Sequence, residues 1–250
     1  MQIAMAQFKS KLGEIAGNFE VAENFIRQAK NSDVVVLPEL WNTGYFPTPL
    51  EKFADKNAER TAEFISHLSK ELNLNIVAGS IVAEVDGKFY NRSLVSNRRG
   101  EIVATYDKTH LFTFAGEEKI FTAGNKIVTF EIDGVKCGVA ICYDLRFPEF
   151  IRKISLQGAE ILFIPAAWSL KRLTPRQILT KARAIENQIF VVFVNSAGIS
   201  EIVNPLGEII GAAETAEQIF SIAIDLQSRK KFIANMNLLA DRNLIVDNFC

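Results

Sequence analysis

The order of strands and helices in this sequence predicts an α/β protein built on mixed β-sheets. Residues 135–164 read as strand, helix and strand, and such a unit requires two parallel strands joined by a right-handed crossover. Asp133 and Gly134 lie between two apolar runs, which is a strong signal for an antiparallel hairpin. Parallel and antiparallel pairs in one chain indicate mixed sheets whose faces are covered by helices.

Strands are predicted wherever a short apolar or β-branched run is bounded by turn residues. In chain order these runs are residues 2–8, 34–37, 75–82, 88–96, 101–106, 127–132, 135–141, 159–164, 189–194, 201–203, 208–210 and 218–225. Pro38 ends the second run, because proline cannot donate a hydrogen bond to a sheet. Residues 97–100 are predicted to form the turn of a second hairpin.

Four helices are predicted from apolar residues that recur every three or four positions. The apolar positions of the first two are Phe19, Ala22, Phe25, Ile26 and Ala29, then Ala58, Ala62, Phe64, Ile65, Leu68 and Leu72. The third covers about residues 148–157, with Pro148 in its first turn and Gly158 just past its end. The fourth is expected to start with Thr174 as N-cap and Pro175 as first residue. Its predicted buried stripe consists of Ile178, Leu179, Ala182 and Ile185.

Composition favours a single domain over residues 1–250. Hydrophobic residues make up 48% of the chain and charged residues 23%, which is enough for a sizeable core, and no linker-like stretch divides it. A formal net charge of -1 without blocks of like charge argues against nucleic acid as a partner. The longest apolar stretches are too short to cross a bilayer, so no membrane partner is expected.

Cysteine and histidine usage indicates a cytoplasmic protein without a metal. Three cysteines without disulfide spacing are typical of free thiols in a reducing compartment. The opening residues MQIAMAQFKS lack the basic region of a signal peptide. The two histidines are not at the spacing of metal ligands, so no metal is predicted. The sequence also has no glycine-rich phosphate loop, and no cofactor is predicted.

Several polar residues stand where predicted strands end, which is where ligands bind in open α/β sheets. These residues are Glu39, Lys108, Cys142, Trp168 and Asn195. Singly, each has an ordinary explanation, such as a lone cysteine acting as a small core hydrophobe. Their joint placement predicts a catalytic site. The positive end of the helix after Cys142 is expected to favour the thiolate.

Three separated motifs resemble the signatures of the nitrilase superfamily of carbon–nitrogen hydrolases. They are LPEL at residues 37–40, YDKTHLF at 106–112 and GVAICYDLRFPE at 138–149, supported by PAAW at 165–168, KARAIENQ at 181–188 and NPLGEII at 204–210. The motifs follow the family's order over nearly the whole chain. The resemblance implies a four-layer αββα sandwich with two mixed sheets. It also implies a hydrolase without metal or cofactor that forms a homodimer or higher homo-oligomer.

The resemblance further implies a Glu-Lys-Cys triad acting on a small-molecule amide. By position, Glu39 is the general base, Lys108 the oxyanion stabiliser and Cys142 the nucleophile, with the backbone N–H of Tyr143 as second oxyanion donor. The thiolate would displace ammonia from the amide carbon, and water would hydrolyse the resulting thioester. Glu117 matches the family's second glutamate, and its neighbour Glu118 is the alternative.

The branch of the superfamily and the residues of the substrate pocket are predicted from fewer positions. True nitrilases usually have tryptophan where this chain has Tyr143, so the resemblance favours the amidase branch, which includes ω-amidases and deaminated-glutathione amidases. The expected substrate is a small amide that bears a carboxylate. Candidate substrate-binding residues are Trp168, Arg146 and Asn195. Trp168 fits pocket wall and core equally.

Alternatives remain for several of these residues. Arg146 could instead pair with Asp144 or Glu149, and this is the favoured reading. His110 could pair with Cys142 as a dyad, since Lys108 and His110 are two residues apart on an extended segment. Lys171 and Arg172 are expected in a solvated loop, Arg183 and Glu186 as a simple helical pair, and Cys137 and Cys250 as inert thiols.

The sequence departs from the family pattern between residues 195 and 204. Most relatives have a longer loop there, with a Gly-x-Ser element that helps to shape the substrate pocket. The shortened loop leaves open an altered specificity, or a catalytically silent binding protein. Residues 229–250 also match the family only loosely.

Overall fold

The computed structural model describes residues 1–196, 198–214 and 217–242, and within these ranges the chain forms 14 strands and five α-helices. The strands are β1 (Gln2–Gln7), β2 (Val34–Val36), β3 (Asp55–Lys56), β4 (Asn75–Val77), β5 (Ile81–Val85), β6 (Lys88–Ser96), β7 (Ile102–Asp107), β8 (Thr129–Ile132), β9 (Val135–Val139), β10 (Ile161–Ala166), β11 (Phe190–Asn195), β12 (Ser200–Val203), β13 (Ile209–Ala213) and β14 (Gln218–Ala223). The helices are α1 (Ile15–Gln28), α2 (Glu59–Leu72), α3 (Pro148–Leu156), α4 (Leu173–Asn187) and α5 (Leu226–Asn235).

The strands form two mixed sheets, as the sequence predicted. The first has the order β14-β1-β2-β4-β6-β5-β3, with β7 also paired to β6, and the second has the order β13-β12-β11-β10-β9-β8. Strands β1, β2 and β4 are parallel to one another, as are β9, β10 and β11. The hairpin at Asp133 and Gly134 and the β9-α3-β10 crossover are both confirmed.

The two sheets pack face to face between layers of helices, which is the four-layer αββα arrangement. Met5 and Val36 from the first sheet share one core with Phe163 from the second. Side chains alternate across a strand, so Val35 points the other way and packs in a separate core with Ile26 of α1. Helices α3 and α4 cover the outer face of the second sheet.

The predicted strand over residues 75–82 is wrong as a single strand. It is two strands, β4 and β5, and both pair with β6. The chain turns at Gly79, whose φ is +58°, and a Cβ there would lie 2.0 Å from the carbonyl oxygen of Pro38. Only glycine permits so close an approach of two backbones. The break lets Ser80 bond the loop after β2, through its N–H to Pro38 and its Oγ to the N–H of Leu40.

The predicted buried stripe of the fourth helix is wrong at Ile178 and Ile185, whereas Leu179 is half-buried against the core. Helix α4 begins at Leu173, so Thr174 is not its N-cap, and Ile178 and Ile185 are 63% and 44% exposed. The buried face is mainly polar and comprises Arg176, Thr180, Arg183, Ala184 and Asn187. These residues also recur at helical spacing, and partners elsewhere in the fold allow their burial. An example is Glu201 on β12, which lies 2.9 Å from the Arg176 guanidinium.

Candidate active site

Glu39, Lys108 and Cys142 all lie at the carboxyl ends of strands, as predicted. Glu39 follows β2 by three residues, Lys108 directly follows β7, and Cys142 follows β9 by three residues. The Nζ of Lys108 donates to Glu39 Oε1 at 2.8 Å. Glu39 and Cys142 line the same cavity, and the charges of Glu39 and Lys108 both act on the thiol. The fold therefore brings the three side chains together.

The second glutamate in this cluster is Glu117. Its carboxylate accepts hydrogen bonds from Lys108 Nζ at 2.9 Å, from the N–H of Phe112 at 2.7 Å and from the hydroxyl of Tyr45 at 3.3 Å. Glu118 is exposed on the other side of the same 3-10 turn. Of these two neighbours, Glu117 is the one that contacts Lys108.

The carboxylate of Glu39 is held in a fixed orientation by donors on both of its oxygens. Asn91 on β6 donates its amide N–H to Oε1 at 2.9 Å, and the backbone N–H of Ala167 donates to Oε2 at 2.8 Å. Sequence reasoning missed Asn91. The signal for it was an amide side chain within the strand segment KFYNRSLVS, where a buried polar group needs a partner.

Cys142 occupies an unusual backbone position at the start of a 3-10 turn. Its φ is +45°, a conformation that costs energy for a residue with a side chain and that recurs at functional sites. Asp144 fixes the turn, because its carboxylate accepts from the N–H of Ile141 at 2.8 Å and from the Tyr106 hydroxyl at 2.7 Å. The thiol is thereby directed to the cavity although Cys142 is only 9% exposed.

The surroundings of Cys142 favour the thiol, not the thiolate that the helix dipole was expected to favour. Burial and the charge of Glu39 raise the pKa of Cys142 well above its usual value, and Lys108 only partly opposes this. Burial also opposes a charge on Lys108, but the carboxylates around it outweigh that effect and raise its pKa. The site therefore places a thiol, an amine and a carboxylate next to one another.

The dyad of Cys142 and His110 is not formed. The ring Nδ1 of His110 lies 2.7 Å from the Asp144 carboxylate, and the ring stacks on Phe147 with centroids 3.7 Å apart. The described residues that line the cavity do not include His110. The histidine instead helps to hold the turn after Cys142.

A cavity of about 1130 Å³ opens beside the thiol. Its wall includes Trp168, and the Arg146 guanidinium lies 4.8 Å from the centre of the Trp168 ring. Among the described residues Arg146 has no ion pair with Asp144 or Glu149, because Asp144 is used by the turn; the favoured pairing is therefore wrong.

Asn195 lies behind this wall and not in it. Its side-chain oxygen accepts from the N–H of Trp168 at 2.7 Å, and its NH₂ donates to the carbonyl of Trp168 at 2.9 Å. Asn195 thus orients Trp168. Strand β11 ends at Asn195 and β12 begins at Ser200. Between them, Ser196 and Gly198 contribute to the cavity wall, and residue 197 is outside the described part.

The remaining predicted residues have the following places. Arg183 and Glu186 form the expected pair at 2.8 Å. Arg172 lines the cavity with its guanidinium over the Phe112 ring, whereas Lys171 is exposed and outside the wall. Cys137 is a buried free thiol, and Cys250 lies outside the described residues.

Among the described residues, no group of three or more His, Cys, Asp or Glu side chains is arranged to hold a metal ion. None of the described helices has the length and apolar character needed to cross a membrane.

The chain is similar to known proteins over almost its whole length. Residues 2–234 match the carbon–nitrogen hydrolase family model. A 2-oxoglutaramate amidase from Bacillus subtilis (strain 168) is 39% identical over 235 residues, which cover 90% of this chain and 91% of that protein. The human omega-amidase NIT2 is 32% identical over 231 residues, which cover 84% and 83%. The crystal structure of Nit3 from Saccharomyces cerevisiae, a nitrilase-superfamily member, superposes with a TM-score of 0.89 at 27% identity, covering 95% and 94% of the two chains.

Proposed function

This chain belongs to the carbon–nitrogen hydrolase family and hydrolyses amide bonds of small molecules, and we propose that Glu39, Lys108 and Cys142 perform the reaction. The observation that supports these roles most directly is the position of Lys108 Nζ, bonded to Glu39 at 2.8 Å and to Glu117 at 2.9 Å beside the cavity thiol. This arrangement offers a nucleophile, a base and an electrophilic ammonium to one ligand.

In the first half-reaction the thiol proton moves to Glu39 while sulfur bonds to the amide carbon. The carbonyl oxygen becomes an oxyanion, and we assign its stabilisation to the Lys108 ammonium and the backbone N–H of Tyr143. One such donor typically contributes about 2.7–4 kcal/mol of transition-state stabilisation. Glu39 then returns the proton to the amide nitrogen, the carbon–nitrogen bond breaks, and ammonia leaves behind a thioester on Cys142.

In the second half-reaction Glu39 takes a proton from water, whose oxygen attacks the thioester carbon. The carbon–sulfur bond breaks, the carboxylic acid is released, and the thiolate regains the proton. One carboxylate serves both halves because it alternates between base and acid. The raised pKa of Cys142 suits this cycle, since it favours the neutral thiol, whose proton Glu39 takes as sulfur attacks.

We propose that the substrate is an ω-amide with a carboxylate at its far end, as in the 2-oxoglutaramate amidase and omega-amidase relatives. Arg146 is the group that would bind this carboxylate. It lines the cavity and has no carboxylate partner among the described residues, and Trp168 supports its guanidinium.

Replacement of Cys142 by alanine tests the proposal. Cys142→Ala should abolish ammonia release from a panel of small ω-amides while circular dichroism stays native. Cys137→Ala is the matched control, because it removes a thiol from the core and not from the cavity. Turnover near the wild-type rate in Cys142→Ala would refute these roles. An acyl adduct on Cys142 in mass spectrometry would exclude a catalytically silent binding protein.

We also propose a homo-oligomer, at least a dimer, of a single-domain cytoplasmic protein. Large apolar side chains remain exposed on α4 and on the turn after β12, notably Ile178, Ile185 and Leu206. Exposed apolar clusters of this kind are typical of protein interfaces. Light scattering of the wild type and of Ile178→Glu tests this, and a monomeric wild type would contradict it.

A further inference from the structure

Tyr45 lies between the cavity and the buried side chains of Glu117 and Lys108. Its side chain lines the cavity, and its hydroxyl donates to Glu117 Oε1 at 3.3 Å. Its ring packs on Phe46 with centroids 4.0 Å apart, which fixes the direction of the hydroxyl. Glu117 and Lys108 are fully buried behind it. No motif or spacing in the sequence pointed to this tyrosine.

The cluster that Tyr45 covers has an excess of negative charge. In the described part of the chain, Glu39 and Glu117 share one cation, Lys108. The groups that face Glu117 there are Lys108, Glu39, Tyr45 and the thiol of Cys142. Burial raises the pKa of Glu117, and the charge of Glu39 adds to the effect. Hydrogen-bond donors must therefore offset part of the cost of keeping Glu117 ionised.

Tyr45 is a suitable donor over the whole working range of pH. Burial, together with the charges of Glu39 and Glu117, raises the pKa of Tyr45 above its usual value, so the phenol stays protonated. The other donors to Glu117 are the Lys108 ammonium and the N–H of Phe112. Loss of the hydroxyl would leave two donors where the structure has three.

We propose that Tyr45 is a positioning residue whose hydroxyl keeps Glu117 ionised and thereby holds Lys108 in place. This inference rests on the proposed catalytic role of Lys108. A protonated Glu117 no longer attracts the ammonium, which then pairs with Glu39 alone. Glu39 then becomes a weaker base, and Lys108 is displaced from the position in which it stabilises the oxyanion. Tyr45 therefore sets how far the pH can fall before activity is lost.

Tyr45→Phe tests the proposal, because it retains the ring against Phe46 and removes only the donor. The pKa of Glu117 should rise, so protonated Glu117 forms at higher pH and the acid limb of kcat/KM moves upward. A shift of about one pH unit is expected from the loss of one donor to a carboxylate. On that limb the variant should be about tenfold slower than wild type, and the difference should shrink as the pH rises.

Tyr90→Phe is the matched control, since it makes the same change on β6 outside the catalytic cavity and should leave the profile unchanged. If Tyr45→Phe turns over too slowly, the pH dependence of Cys142 alkylation by iodoacetamide replaces the rate. The charge of Glu117 acts on the thiol, so the inflection that accompanies protonation of Glu117 should occur at a higher pH than in wild type. An unshifted acid limb, or an unshifted inflection, overturns the role of Tyr45 and leaves the triad intact. An active Cys142→Ala would overturn the triad instead.

Discussion

Removal of the Lys108 ammonium should lower both kcat and the free energy of unfolding, and the two losses can be measured separately. Its Nζ lies 2.8 Å from Glu39 and 2.9 Å from Glu117, and all three side chains are at most 1% exposed. In Lys108→Met the site loses one oxyanion donor, which lowers kcat by about 10²–10³. The two carboxylates also lose their shared cation, and removing one partner of a buried ion pair typically costs about 3–5 kcal/mol of unfolding free energy.

The loss of stability should depend on pH, and the loss of activity should not. Without the ammonium, the pKa of Glu117, already raised by burial, rises further above its unfolded value. The folded state then binds a proton more readily than the unfolded state, so the stability of Lys108→Met is regained as the pH falls. Ammonia release stays low throughout, because protonation does not restore the oxyanion donor.

The assay is urea unfolding at about pH 5 and about pH 8, combined with ammonia release at each pH. A matched double variant, Lys108→Met with Glu117→Gln, should recover much of the unfolding free energy at the higher pH while remaining inactive. Wild-type turnover in Lys108→Met would refute the assigned role. An equal loss of unfolding free energy at both pH values would refute the expectation that protonation of Glu117 restores the stability of Lys108→Met.

Three further outcomes follow from the site. Glu39→Gln should abolish turnover but speed iodoacetamide alkylation of Cys142 at neutral pH, because the charge of Glu39 raises the thiol pKa and its removal lets the thiolate form at lower pH. Slower alkylation would contradict this. Arg146→Met should lower kcat/KM about tenfold or more for amides that bear a carboxylate and leave neutral amides little changed, whereas exposed Lys171→Met should affect neither. Equal losses for charged and neutral amides would argue against carboxylate binding. Asp144→Ala should lower the unfolding free energy, measured by urea titration, by about 3 kcal/mol, because several buried donors lose their acceptor. A change below about 1 kcal/mol would contradict this role of the Asp144 hydrogen bonds.

The sequence was sufficient for the features that depend on local pattern. Strand-end placement and three motifs indicated Glu39, Lys108 and Cys142, and the structure brings these side chains together, with Glu39 and Cys142 in the cavity wall. The mixed sheets followed from one hairpin signal and one crossover. Each motif and each turn signal could be recognised because it consists of neighbours along the chain.

The features that sequence analysis missed or left open depend on contacts between distant segments. Glu117 was selected with Glu118 as its alternative, and the contacts of Glu117 with Lys108, Phe112 and Tyr45 distinguish the two. The polar face of α4 can be buried because Arg176 forms an ion pair with Glu201, which lies 25 residues later on strand β12. The thiol pKa was misjudged because the helix dipole can be read from the sequence, whereas burial and the nearby carboxylate cannot.

The break at Gly79 has a practical consequence for redesign of this enzyme. The backbone around Gly79 packs so tightly on Pro38 that even one added methyl group would displace the segment that aims Glu39. By contrast, Arg146 and Trp168 contribute side chains to the cavity wall, and the main chain of Trp168 is held by hydrogen bonds from Asn195 that do not involve its ring. Libraries intended to alter substrate preference should therefore vary the wall and leave residues 78–80 as they are.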